Sequence, residues 1–158
     1  MREKGRGGRN TIKSLEDMNR EIKFRGRNNW EWYFGSLVLT DDNRNEPFRR
    51  TQIKKKLQIC FYHAGDWGMG GWQSIVVDPE TVGQFTGLKD KNGKKIYEGD
   101  IIQFGSQMES KNVVKYIGRN AGFLVKDKFG DWQWLYDVVA STSTEVIGNI
   151  HDTPDLIK

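Results

Sequence analysis

The stretch that most constrains this chain runs from Asp78 to Phe104, DPETVGQFTGLKDKNGKKIYEGDIIQF. Pro79 presets the backbone for a turn corner after Asp78. Asn92-Gly93 supplies the positive φ that a tight hairpin turn demands, and Glu98-Gly99-Asp100 repeats the signal soon after. Between these turns only Thr81 to Thr86, Lys95 to Tyr97 and Ile101 to Phe104 remain. Such segments are too short for ordinary helices, so the block reads as a run of short strands.

The same grammar extends both ways. In Glu21-Ile22-Lys23-Phe24-Arg25, Ile22 and Phe24 alternate with charges, which predicts a half-buried strand with the charges on its other face. After a turn at Asn28-Asn29, Trp30, Trp32 and Phe34 fall at period two and a second strand continues to Thr40, giving a hairpin. Leu57 to Tyr62 and Trp72 to Val77 read as a further pair around a Gly65–Gly71 tip. Asn112 to Ile117, Gly122 to Lys126, an alternating Trp132, Trp134 and Tyr136, and Glu145 to Ile150 complete the strands. Thr153-Pro154 starts one closing helical turn. Turn signals between strands at this spacing predict a mainly β fold with little helix; α+β is the alternative. Strand, Gly-Asp turn and apolar strand in that order also open small SH3-like barrels, an analogy of fold. The expected architecture is thus a small SH3-like barrel, its core at about 80–150, with additional hairpins.

Charge and cysteine content narrow the function. The net charge is +4. Arg2, Lys4, Arg6, Arg9 and Lys13 against Glu3 account for all of it, so the body is electrically balanced and residues 1–19 read as a basic, flexible extension ahead of a 20–158 domain. Within the body, Arg44, Arg49, Arg50, Lys54, Lys55 and Lys56 oppose only Glu46 and form one basic patch. A single cysteine, Cys60, excludes an internal disulfide and fits a reducing compartment. No apolar run nears the ~20 residues of a membrane span, and no signal-peptide core is present. A soluble, cytoplasmic protein is expected.

Three elements together resemble the YopX family of phage and prophage proteins. They are Arg20 to Gly26 (REIKFRG), Val82 to Ile102 (VGQFTGLKDKNGKKIYEGDII), and Glu145 to Ile150 (EVIGNI) followed by Pro154-Asp155-Leu156. The resemblance implies a mobile-element origin, an SH3-like core and a bacterial host cytoplasm. It brings no catalytic activity with it. The basic tail, the 41–56 loop and the 65–72 tip depart from the family pattern.

Candidate chemistry is sparse. Asp78, Glu80, Asp90, Glu98 and Asp100 crowd the central block, yet Asp beside Gly or Pro is what turns require, so they read as turn residues before a carboxylate pair or cation site. Cys60 and His63 have half the spacing of a zinc site, but only His151 is left to extend it, and structural zinc takes four ligands. No nucleophile–base motif stands out, and neither a cofactor nor a metal is expected. The aromatic stripes serve a core or a base-stacking surface. The expected function is a non-enzymatic module that binds a protein or associates with itself. Nucleic-acid binding through the 44–56 patch is the alternative. Contact is expected at Arg44, Arg49, Arg50, Lys54, Lys55 and Lys56, and at Trp67 and Trp72 on the tip, with the Asp78–Phe104 block as scaffold.

Overall fold

A computed structural model of the chain describes residues 21–41, 55–65, 69–105 and 110–157. Among these described residues twelve strands form three antiparallel sheets, accompanied by one short α-helix. The largest has the order β4 (Gly71–Val76), β3 (Lys55–His63), β2 (Glu31–Asp41), β1 (Phe24–Asn28), β5 (Gly83–Lys89) and β6 (Lys95–Tyr97). The second sets β7 (Asp100–Phe104) between β12 (Glu145–Asn149) and β8 (Ser110–Val113). In the third, β10 (Gly122–Lys126) lies between β9 (Lys115–Ile117) and β11 (Trp132–Trp134).

The first four strands form a meander. After β4 the chain crosses back to β1, with Val77 packed on Gly26, where a Cβ would come within 2.7 Å of the valine Cγ2. The Asp78 N–H then donates to Arg27 O and the Arg27 N–H to Thr81 Oγ1. A 3-10 turn at Pro79–Thr81 follows, with Asp78 accepting from the Glu80 N–H. This crossover delivers β5 to the free side of β1.

The apolar core draws on Ile96, Ile102, Phe104, Val114, Val125, Leu135, Val138 and Val146. It therefore gathers β6, β7, β10, β12 and the helix around one centre. The sheets stay open: β4 and β6, β8 and β12, and β9 and β11 are outer strands. The closed SH3-like barrel expected at 80–150 is thus replaced by open sheets. One local cause is visible between β5 and β6, whose register breaks between Phe85 and Lys89 around Gly87 at φ 86°. A bulge of this kind bends a strand and ends regular pairing.

Two other expectations change. The Trp132–Tyr136 alternation stops at Trp134, and α1 (Leu135–Ser141) begins, burying Leu135 and Val138 with Val139 half-buried. Buried positions three and four apart are the helical pattern, but two turns are too brief for periodicity to stand out. Trp30 sits in the β1–β2 turn beside Asn29 (φ 55°) and is 88% exposed, so that aromatic stripe starts at Trp32.

Asp90 closes the β5–β6 hairpin onto β12. Its Oδ1 accepts from the N–H groups of Asn92 and Lys94, and its Oδ2 from the Val146 N–H at 3.0 Å. Burial alone would raise this carboxyl, but the three backbone donors outweigh it and hold it below its ordinary value. Asp90→Ala orphans the buried Val146 N–H and should cost about 1–3 kcal/mol by urea denaturation. Because the folded carboxyl is the stronger acid, its contribution is full near neutrality and fades as pH falls through the ordinary carboxylate range. The acid sensitivity of the urea midpoint should therefore be smaller in Asp90→Ala.

Candidate functional site

Strand register decides which side chains share a face of the large sheet. Arg25 lies opposite Phe34 on β2 and Gly83 on β5, Arg27 opposite Trp32, and Phe85 opposite Tyr97. Further out, Ser36 pairs with Cys60, Cys60 with Ser74, and Tyr62 with Trp72. One face thus carries Arg25, Trp32, Phe34, Phe85, Tyr97, Tyr62 and Trp72.

At the centre of that face Arg25 is only 7% exposed and Asp100 2%. The Arg25 Nη1 lies 2.6 Å from Asp100 Oδ1, and its Nη2 donates to Glu98 O at 3.0 Å. Asp100 Oδ2 accepts from the Tyr97 N–H at 2.7 Å. The guanidinium also lies 4.8 Å from the Trp32 ring centre and 5.2 Å from that of Tyr97. Two glycines permit this approach. A Cβ on Gly83 would collide with Glu98 O, and Gly99 holds φ 82° in the turn. Burial pushes the Asp100 carboxyl above its ordinary range despite Arg25 and the Tyr97 N–H pulling the other way. The Arg25 Nε is buried without a partner.

Over this pair opens a cavity of about 500 Å³, walled by Trp32, Phe34 and Tyr97 and bounded by Lys23, Lys94, Lys95, Gly148, Asn149 and Asp152. Phe34 meets Tyr97 edge-on at 5.5 Å, and Phe85 backs Tyr97 at 5.4 Å. At one end Asp152 accepts from Arg27 Nη1 (3.1 Å), Trp32 Nε1 (2.8 Å) and Asn149 Nδ2 (2.6 Å). Burial opposes its ionisation, but these donors win and hold the carboxyl below its ordinary value. Lys95 reaches outward to both oxygens of Glu21, at 2.7 and 2.6 Å. The cavity walls hold Lys23, Arg25, Lys94 and Lys95 against Asp100 and Asp152, a formal excess of two positive charges.

A shallower hollow continues across Lys23 and Phe34 toward Ile22, Tyr62 and Trp72. Those rings touch edge-on at 5.8 Å, with Tyr62 58% and Trp72 77% exposed. The two hollows share Lys23 and Phe34 and run as one groove along the sheet, walled by rings in the first and more polar in the second, where Glu21 pairs with Lys23 and Lys95.

Of the residues singled out from the sequence, Arg44, Arg49, Arg50, Lys54 and Trp67 lie outside the described residues. Lys55 is exposed at the start of β3 opposite Asp41, Lys56 is half-buried opposite Thr40, and Trp72 lies at the far end of the groove. The Asp78–Phe104 block does more than scaffold, since it lends Lys94, Lys95, Tyr97 and Asp100 to the cavity. The first strand also differs from expectation: Arg25 is buried, whereas Ile22 precedes β1 and is 64% exposed. A partner for Arg25 lies 75 residues away, beyond the reach of local alternation. Cys60 and His63 stand three apart on β3, so their side chains leave opposite faces and cannot share an ion within the strand. Among the described residues no cluster of His, Cys, Asp and Glu is placed to hold a metal ion.

Removing one member of the central pair strands a buried charge. Arg25→Met or Asp100→Leu alone should each cost about 3–5 kcal/mol. The double variant should lose less than the sum, as a double-mutant cycle in urea would read. His151, half-buried with its ring 6.0 Å from that of Trp32, provides a second check. Burial first, then the charges of Arg27 and Arg25, keep its imidazole below the ordinary value. The unfolded chain therefore takes up the proton more readily, and stability falls as pH drops through the ordinary imidazole range. His151→Gln should reduce the shift in urea midpoint between roughly pH 7.5 and pH 5.5.

No helix among the described residues is long and apolar enough to cross a membrane. A search of the curated proteins finds no match. A family model described as YopX protein matches residues 23–158, a span that takes in every wall of the cavity. The three stretches that carry the resemblance meet at the Arg25–Asp100 pair, and the chain belongs to the YopX protein family.

Proposed function

We propose that this is a phage- or prophage-encoded accessory protein that acts without catalysis, in the cytoplasm of a bacterial host, by holding a segment of a partner protein in the groove. The observation that carries this reading is the pairing of an open aromatic cavity with a lysine rim over a buried, already neutralised ion pair. Arg25 and Asp100 spend their charges on one another and on backbone groups, which suits a rigid floor better than a reacting centre. Trp32, Phe34 and Tyr97 offer ring faces and edges to a flat apolar side chain, while Lys23 and Lys94 suit a carboxylate beside it. The occupant this favours is an acidic segment with an aromatic anchor. One seated ring buries roughly 150–250 Å², about 4–6 kcal/mol before the cost of association, so the ring alone binds weakly and the charges beside it must add to it.

The test is an anisotropy titration of the full chain with labelled peptides carrying Trp or Phe among Asp and Glu, at physiological salt. Binding should weaken by roughly tenfold or more in Phe34→Ala and in Lys94→Glu, both at exposed positions where the fold is retained. A lysine-substituted peptide should bind poorly. Oligonucleotide binding tighter than any peptide, falling steeply with salt and lost in Lys94→Glu, would replace this reading with a nucleic-acid surface.

A further inference from the structure

We propose that β4 is a self-association edge, through which two copies of this chain join their large sheets about a two-fold axis at Ser74. This rests on the strand's edge and is independent of what fills the groove. The Val77 N–H donates to Leu57 O at 2.9 Å, so the Leu57–Val77 pair is hydrogen-bonded. In an antiparallel ladder such pairs alternate. Gln73 and Ile75 therefore turn their backbone groups to β3, while Trp72, Ser74 and Val76 turn theirs outward. Among the described residues β4 is the outer strand; no strand pairs with that edge, and Asn28 Nδ2 meets it at Val76 O alone. The strand GWQSIV carries no charge and no proline, so it lacks the usual protections of an exposed edge.

The edge is self-complementary. Antiparallel partners must share a face, and the outward groups must meet each other. Both conditions hold with Ser74 opposite the partner's Ser74 and Trp72 opposite the partner's Val76. The exposed Trp72 (77%) then covers the exposed Val76 (43%) on the same face, and does so twice by symmetry. Val76 O already accepts from Asn28 Nδ2. The new ladder then rests on Ser74 with Ser74 and on the Val76 N–H groups donating to Trp72 carbonyls. So short a joint belongs to the weak class of interfaces, below about 1,200 Å².

Charge swapping at the axis tests this. In sedimentation velocity across a concentration series, the unmodified chain should dimerise. Ser74→Lys and Ser74→Glu should each remain monomeric, because like charges would oppose one another on the axis. An equimolar mixture of the two variants should restore the dimer. Ser74→Pro gives a second arm, since it removes only an N–H that faces no strand of its own chain; it should fold, with unchanged circular dichroism, and remain monomeric. The proposal is overturned if the unmodified chain stays monomeric, if the single variants dimerise like it, or if the mixture fails to pair. Peptide capture in the groove by the Ser74 variants reports separately on the groove.

Discussion

The Arg25–Asp100 ion pair is the contact on which the rest of the architecture turns. It joins β1, in the meander, to the start of β7, in the second sheet, and Arg25 also reaches Glu98 O in the turn between β6 and β7. The Gly99 N–H donates to Val114 O, and Gly99 O accepts from the Ile150 N–H, so the same turn ties in β8 and the end of β12. Replacing such a pair with apolar residues is often neutral or favourable for stability. What the pair adds is direction. Its planar fork has one solution for β1 against the turn, whereas an apolar contact in its place would allow sliding.

That fixed geometry explains why the cavity opens where it does. Arg25 lies on the cavity face against both Trp32 and Tyr97, so those rings stand against its guanidinium instead of collapsing onto one another. Phe34 and Phe85 then pack on Tyr97 from outside. Asp152 holds Trp32 from the other end through the indole N–H. The hollow is thus framed by rings whose positions are set by charged and polar partners, a preorganised arrangement that lowers the ordering cost of binding.

The strands were legible in the sequence because period-two alternation and turn chemistry are local signals. Asn92-Gly93, Glu98-Gly99-Asp100 and the Trp32/Phe34 alternation each find their place in the structure. Closure into a barrel was not legible, since it depends on how far each ladder continues, and the break between Phe85 and Lys89 leaves little trace beyond Gly87. The site was hidden for a related reason. Arg25 looks like one more charge on a solvent face until Asp100 is brought to it, and Asn149, read as part of the last strand, and Asp152 carry no sign of a role until Trp32 is placed beside them. The stretches of family resemblance read as scaffold in the sequence, and what joins them, the Arg25–Asp100 pair, is a contact between stretches and not a property of any one.

The groove and the β4 edge meet at Trp72, whose ring lines the far hollow and whose backbone points to the free edge. Pairing two copies about an axis normal to the sheet leaves both aromatic faces on the same side, because antiparallel partners keep their facing. Two grooves opening in one direction can engage two copies of a segment on a single assembly. The second engagement then draws on an effective concentration in the millimolar range for short spans, raising avidity by about 10²–10⁴ without any new contact. On the proposed pairing and the proposed occupant, a weak edge and a weak groove together hold a partner that neither would hold alone.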